Sequence, residues 1–185
     1  MVSSQWRLAP LPIFSTEQKD WLTRKGSLTQ YLQAWGTVTV RVMREVVDVV
    51  WLDECHCLRI RAYTPVWLRE VLLCVNGVPF VAARSVMSLA ASRSVWRVVR
   101  NLGSQPLGHI LYRQIAIDRS ALMSRRVKAP HQLYQLAQSG ILTFQKMPHS
   151  LLARRSVFIH RGAALLVTEV MLDALWARLR PGSAR

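Results

Sequence analysis

Two arginines lie in a segment whose other residues are typical of buried strands. Arg69 and Arg84 flank an Asn76-Gly77 pair within the apolar segment 66–84. Asn and Gly tolerate the positive φ angles of a two-residue hairpin loop, so the spacing predicts a hairpin in which Arg69 faces Arg84. Like charges that face each other destabilise a sheet, and their burial costs more. An anion bound between the two guanidinium groups would relieve this conflict, so the pair predicts a site for a carboxylate or a phosphate.

An acidic residue, Glu169, lies in a second apolar hairpin near the end of the chain. Residues 156–172 predict two strands around Arg161-Gly162, and apolar residues on both faces of the second strand indicate that it is buried. A two-residue loop at that position places Arg154 opposite Glu169. Two interpretations stay open: Glu169 is a carboxylate at work in a dry pocket, or it pairs with Arg154 in a structural ion network.

The elements that must position these side chains are predicted from apolar periodicity, capping residues and turn residues. A capping box formed by Ser15 and Gln18 begins a helix at 16–22. Alternation along a strand at 37–50 places Arg44 on its valine face. The other predicted elements are a helix at 28–35, a short strand at 58–62, an amphipathic helix at 92–102, an irregular and mobile region at 120–150 and a terminal helix at 172–179.

The run Cys55-His56-Cys57 has residue types that bind metal ions. No second pair of ligands occurs at a spacing typical of zinc sites, so a structural role is favoured and no metal is predicted. Alternation in a strand would also send both sulfurs to one face and His56 to the other. The chain has 3 cysteines, an odd number that predicts no disulfide framework.

Composition limits the class of protein. The 185 residues are 51% hydrophobic and 19% charged, which predicts one globular domain spanning 1–185. The formal net charge of +15 is typical of proteins that bind nucleic acid or an anionic membrane. The basic residues are almost all arginine and are scattered along the chain, so a generic basic surface is favoured over a specific nucleic-acid site.

The sequence also bears on cellular location. No apolar run approaches the roughly 20 residues that span a bilayer, so no transmembrane segment is predicted. Residues 1–7 lack the apolar core of a signal peptide. We therefore predict a cytoplasmic protein, and we expect it to be a monomer.

Short motifs along most of the chain together resemble the chorismate pyruvate-lyases, cofactor-independent enzymes that open ubiquinone synthesis in bacteria. Each motif is weak alone, whereas the ordered set is specific. The motifs lie at 42–45, at 67–74 with the following Asn76-Gly77 turn, and at 83–86, 106–108, 154–156 and 165–169. The resemblance implies an α+β fold: a single domain with a six-stranded antiparallel sheet, helices, and helical flaps that close over an internal ligand pocket.

The resemblance also implies roles for four residues. Arg69 matches the arginine that binds the ring carboxylate, and Glu169 matches the acid near the 4-hydroxyl. Leu107 matches a backbone contact in one flap, and Leu28 occupies another flap position that is usually methionine. The implied catalytic residues are Glu169 and Arg69, and all four residues are implied to bind substrate. Chorismate is the implied substrate, 4-hydroxybenzoate and pyruvate are the products, and no cofactor or metal is implied.

Two other functions remain open. The first is a non-catalytic module of the same fold that binds a small anion, as in the effector domains of some bacterial transcription factors. Those domains follow a DNA-binding winged helix, and the residues before Thr37 are too few for one, which counts against a regulator. The second is a basic nucleic-acid-binding protein, which rests on the net charge alone.

Overall fold

One antiparallel sheet organises the part of the chain that the computed structural model describes, residues 5–112, 116–141 and 147–180. Its strands run in the order β1-β2-β3-β7-β6-β4, and β5 pairs with β6 beside β4. The predicted six-stranded sheet therefore has six strand positions, the last of which is shared by two short strands. The strands are β1 (Val38–Val49), β2 (Pro65–Val75), β3 (Val78–Ser88), β4 (Ile117–Arg119), β5 (Met123–Val127), β6 (Leu151–His160) and β7 (Ala163–Met171).

Eight helices in the described ranges cover the two faces of the sheet. The predicted capping box is confirmed, because Ser15 Oγ accepts from the Gln18 N–H at 3.2 Å and Gln18 Oε1 accepts from the Ser15 N–H at 3.0 Å. None of the helices in these ranges is long and apolar enough to cross a bilayer. The helices are α1 (Thr16–Thr23), α2 (Leu28–Gln33), α3 (Leu52–Leu58), α4 (Leu89–Arg93), α5 (Arg97–Arg100), α6 (Gly108–Leu111), α7 (Gln132–Gly140) and α8 (Asp173–Leu179).

The predicted strand at 58–62 is wrong, and a helix, α3, ends where it was expected to begin. Glu54 Oε2 accepts from the Trp51 N–H at 3.1 Å, and this contact caps the start of α3. The helix ends at Leu58, and the residue that caps it, Arg59, adopts a left-handed conformation with φ 53°. Cys55 and Cys57 therefore lie on a helix rather than on one face of a strand.

Two further predictions of local structure are wrong. The helix expected at 92–102 is divided into α4 and α5, because Ser88 caps an earlier start and Ser94 has a non-helical backbone. The region 120–150, predicted to be irregular, contains β5 and α7, which gain order from pairing with β6 and from packing on the sheet. Residues 142–146 of that region lie outside the described residues, and its mobility stays a prediction.

A β-bulge in the first hairpin changes the partners of both arginines. The Asn76-Gly77 turn is as predicted, but the register shifts between Cys74 and Leu73. Cys74 pairs with Pro79, whereas Leu73 pairs with Val81. Proline has no N–H to donate to the ladder, and the extra residue, Phe80, is accommodated as a bulge. Beyond the bulge Arg69 lies opposite Ser85, and Arg84 lies opposite Glu70. The prediction that Arg69 faces Arg84 is therefore wrong, and the two side chains are on opposite faces of the sheet.

A second bulge, in β1, brings an acidic residue to Arg69. Val42 pairs with Val71, whereas Arg44 pairs with Glu70, so Met43 is the extra residue. The shift moves Arg44 off the valine face, contrary to the prediction from alternation. It also places Glu45 directly opposite Arg69.

Arg84 is neutralised on the far face of the sheet by two buried carboxylates. Its Nε donates to Glu54 Oε1 at 2.8 Å and its Nη1 donates to Glu70 Oε1 at 2.6 Å. The guanidinium carbon lies 3.6 Å from the centre of the Trp51 ring. The hypothesis of an anion held between Arg69 and Arg84 is therefore wrong, and only Arg69 remains for a ligand on its face.

Candidate active site

The face of the sheet that carries Arg69 forms the floor of a pocket, which we call the central pocket. The cavity has a volume of about 50 Å³, whereas a cavity of about 150 Å³ is known to hold benzene. The covering segments must therefore move to admit an aromatic acid. The lining residues are Ser27, Leu28, Thr29, Val40, Arg69, Val71, Leu73, Ala83, Ser85, Leu107, Gly108, Leu111, Tyr112, Arg119, Phe158, Val167 and Glu169.

The register of three strands brings Arg69 and Glu169 to the same face. Arg69 on β2 pairs with Ser85 on β3, which pairs with Val167 on β7. Glu169 lies two residues further along β7, and side chains two residues apart on a strand point to the same side. The guanidinium and the carboxylate are thus separated by one intervening strand, β3, over an apolar floor.

Arg69 is buried at the floor of the central pocket and retains one free donor group. It is 2% exposed, and its Nε donates to Glu45 Oε1 at 2.8 Å. Its Nη2 donates to the carbonyls of Gly103 at 2.6 Å and Gln105 at 3.2 Å. Burial lowers the pKa of Arg69 from its ordinary value, and Glu45 offsets this in part. Within the described residues its Nη1 donates to no acceptor, which leaves these hydrogens for a ligand.

Glu169 takes part in a buried ion pair and also lines the central pocket. The predicted pairing with Arg154 is confirmed, and Glu169 Oε2 accepts from Arg154 Nε at 2.6 Å. Arg154 is fully buried, and its Nη1 donates to the carbonyls of Trp21 at 2.8 Å and Arg24 at 3.0 Å. Glu169 also lines the central pocket, and its Oε1 accepts no hydrogen bond from any described residue. One carboxylate oxygen is therefore structural and the other is available.

Two helical flaps cover the pocket, and each carries a residue implied by the family resemblance. Leu28 is the first residue of α2, and Leu107 immediately precedes α6. The Leu107 carbonyl accepts from the N–H groups of Ile110 at 3.0 Å and Leu111 at 3.2 Å. The N–H of Leu107 meets no acceptor within the described part of the chain, so it can donate to a ligand.

The two flaps meet at Gly108. A Cβ at this position would lie 2.5 Å from Ser27 Oγ, which is closer than real Cβ contacts. A side chain at Gly108 would therefore displace the Ser27 hydroxyl or separate α6 from the start of α2. The hydroxyl of Ser27 is buried and has no hydrogen-bond partner among the described residues.

Gly108→Ala is expected to weaken binding of 4-hydroxybenzoate by roughly 5- to 150-fold, because overpacking costs about 1–3 kcal/mol and the flaps would no longer close. Calorimetric titration of the purified variant measures this directly. In Ser27→Ala/Gly108→Ala the offending oxygen is removed and the nearest remaining atoms, the Cβ of residue 27 and Thr29 Oγ1, are at 3.5 Å, so affinity should return. If Gly108→Ala binds as the parent does, the flaps do not close at this contact.

Several pocket residues were not found by sequence reasoning. Arg119 comes from β4, a strand of three residues that is too short to give a periodic signal. Tyr112 follows the second flap, and Ser85 reaches the pocket because of the β3 bulge. Arg155, which lies in a motif of the resembled family, is on the far face, where its Nη1 donates to Asp53 Oδ2 at 3.4 Å. Among the described residues, no group of three His, Cys, Asp or Glu side chains could hold a metal ion.

The family model described as chorismate lyase matches residues 5–181. This chain belongs to the chorismate lyase family. A relative from Bordetella avium, named probable chorismate pyruvate-lyase, is 36% identical over 99% of this chain and 90% of its own length. A Bordetella pertussis protein of the same name is 40% identical over 88% of this chain and 85% of its own length. The resemblance predicted from short motifs is thereby confirmed.

Solved structures resemble the fold at much lower sequence identity. The PhnF C-terminal domain matches with a TM-score of 0.56 and 17% identity, over 80% of this chain and 88% of that one. The C-terminal domain of Yurk from Bacillus subtilis matches with a TM-score of 0.53 and 11% identity, over 72% and 89% of the two chains. This likeness shows the fold alone and confirms the predicted α+β class with its antiparallel sheet.

Proposed function

We propose that this chain is a chorismate pyruvate-lyase and that the central pocket is its active site. It eliminates pyruvate from chorismate to give 4-hydroxybenzoate, the first step of ubiquinone biosynthesis. Membership of the chorismate lyase family supports the activity. The observation that carries the assignment of the site is that Arg69 and Glu169 line one pocket, with a free donor on the first and a free acceptor on the second.

The free groups of the pocket match the polar ends of the product. The ring carboxylate of 4-hydroxybenzoate accepts from Arg69 Nη1, and the 4-hydroxyl donates to Glu169 Oε1. The N–H of Leu107 supplies a further donor, and Leu28 closes the pocket from the other flap. In a pocket without bulk water these charge-assisted hydrogen bonds are stronger than they would be at the surface.

The elimination requires positioning more than chemical activation. The ether bond to the enolpyruvyl group breaks, a proton leaves the adjacent ring carbon, and the ring becomes aromatic, which makes the reaction strongly favourable. Holding the substrate in a reactive conformation in a closed site can therefore supply much of the acceleration. Glu169 orients the hydroxyl on the carbon that loses the proton, and neither step needs an organic cofactor.

Incubation with chorismate tests this function. We expect pyruvate and 4-hydroxybenzoate in equal amounts, measured by a coupled pyruvate assay and by aromatic absorbance, with the same rate after exhaustive EDTA treatment. Loss of activity in EDTA with recovery on adding a metal would contradict the cofactor-free reaction. Failure of well-folded protein to release pyruvate would instead favour the non-catalytic anion-binding module, which the family and the names of the relatives do not favour.

We further propose that the protein acts as a monomer in the cytoplasm on small-molecule ligands, without a specific nucleic-acid partner. The free thiols of Cys55, Cys57 and Cys74 suit a reducing compartment. Sedimentation of the purified chain gives its oligomeric state directly.

A further inference from the structure

Arg119 is a second arginine of the central pocket, and its contacts there are neutral. Its Nε donates to Ser156 Oγ at 2.9 Å and its Nη1 donates to the Gly26 carbonyl at 3.3 Å. The guanidinium carbon lies 5.1 Å from the centre of the Phe158 ring and 5.6 Å from that of Tyr112. Within the described residues its Nη2 donates to no acceptor.

The lack of a carboxylate partner separates Arg119 from the buried arginines of the sheet. Arg69, Arg84, Arg154 and Arg155 each lie within 4.0 Å of a carboxylate oxygen. No carboxylate of the described chain is that close to Arg119. Burial lowers the pKa of Arg119 from its ordinary value, and interactions with Tyr112 and with the more distant Glu169 offset this in part. A half-buried guanidinium without a counter-ion is costly, and a bound anion would compensate for that cost.

The sheet places Arg119 on the side of Glu169 that is away from Arg69. In the strand order, Arg69 is on β2, Glu169 on β7 and Arg119 on β4. In chorismate the ring carboxylate and the hydroxyl are at opposite ends of the ring, and the enolpyruvyl ether is on the carbon next to the hydroxyl. A substrate with its carboxylate at Arg69 and its hydroxyl at Glu169 therefore carries its second carboxylate at the end where Arg119 lies.

We propose that Arg119 binds the enolpyruvyl carboxylate of chorismate and forms a leaving-group subsite of the central pocket. The assignment rests on the proposed function. As the ether C–O bond breaks, its electron pair leaves on the enolpyruvate oxygen. The C–H bond of the hydroxyl-bearing carbon supplies the electrons that complete the aromatic ring, and its proton ends on the enolpyruvate methylene carbon to give pyruvate. Arg119 stabilises the negative charge that develops on the departing group.

The test uses the fact that the product lacks the group that Arg119 binds. Arg119→Met should lower kcat/KM for chorismate by roughly 10- to 150-fold, the value of one charge-assisted contact, and change the Kd of 4-hydroxybenzoate much less, because the product loses only the support of the Gly26 carbonyl beside the first flap. Arg69→Ala should weaken both ligands. Arg126→Met, which removes an exposed arginine of β5, is the matched control for loss of one positive charge and should change neither constant.

A second measurement serves if Arg119→Met does not fold. Arg119→Lys keeps the charge but lacks the planar fork that can contact Ser156, Gly26 and a carboxylate together. The parent and this variant are titrated with 4-hydroxybenzoate and with an analogue that carries a carboxymethoxy group beside the hydroxyl. The parent should bind the analogue more tightly than the product, and the variant should lose that advantage. Equal losses for both ligands, or no loss for either, would overturn the subsite. An inactive parent protein would overturn the proposed function itself, and the binding comparison still decides whether Arg119 holds a second carboxylate.

Discussion

Replacing Glu169 by glutamine is expected to lower kcat for chorismate by roughly 10²- to 10³-fold, the range associated with the loss of one preorganised polar contact in an active site. The amide keeps the size of the side chain, and its oxygen can still accept from Arg154. The amide carries no negative charge near the hydroxyl-bearing carbon of chorismate, which loses a proton in the reaction. Steady-state kinetics of the parent and Glu169→Gln on matched preparations give the comparison.

The same substitution has a structural cost that must be measured separately. Arg154 is fully buried and would lose a charged acceptor, so the free energy of unfolding should fall by about 1.5–3 kcal/mol. Arg84→Met is a suitable control, because it strands Glu54 and Glu70 on the far face and should cost about 3–5 kcal/mol with normal kcat for the folded protein. A stable Glu169→Gln variant with full activity would exclude Glu169 from the chemistry.

Arg69→Ala is expected to weaken 4-hydroxybenzoate binding by roughly 10- to 150-fold, because one charge-assisted contact of about 1.5–3 kcal/mol is lost. The variant should also be less stable, since Glu45 loses its partner and the carbonyls of Gly103 and Gln105 lose their donor. This cost was not expected from the sequence, where Arg69 was predicted to face a like charge.

Arg69→Lys separates the two effects of this side chain. Lysine retains the charge at the end of a flexible stem but not the planar fork that contacts Glu45 and the loop together. We expect intermediate product affinity and a smaller loss of stability in calorimetry and thermal melting. Unchanged affinity for 4-hydroxybenzoate in Arg69→Ala would mean that Arg69 serves only the ion pair and the loop.

The parts of the site that could be predicted from sequence are those set by short-range geometry. The Arg161-Gly162 turn predicts Arg154 opposite Glu169, and no bulge intervenes between them. The Asn76-Gly77 turn is equally clear, but the bulge at Phe80 moves each later pair by one residue. A bulge depends on what the neighbouring strands and helices accept, so alternation within one strand cannot reveal it.

The other features that sequence did not predict also depend on contacts that periodicity within one segment does not show. Arg119 enters the pocket because three residues of β4 pair with the end of β6, about forty positions later in the chain. The helix α3 depends on the contact of Glu54 with Trp51, which alternation in the sequence does not reveal. The Cys-His-Cys run in this segment instead predicts a strand with alternating faces. The positions Leu28, Arg69, Leu107 and Glu169 came from the family resemblance, and their proximity in one pocket supports the roles proposed for them.

A crystal structure of the protein with bound 4-hydroxybenzoate tests the location and orientation of the proposed site most directly. We predict the product beneath the two flaps, with its carboxylate on Arg69 Nη1 and its hydroxyl on Glu169 Oε1, and with Arg119 not in contact with it. Product bound outside the central pocket, or bound with its carboxylate at Arg119, would contradict the account.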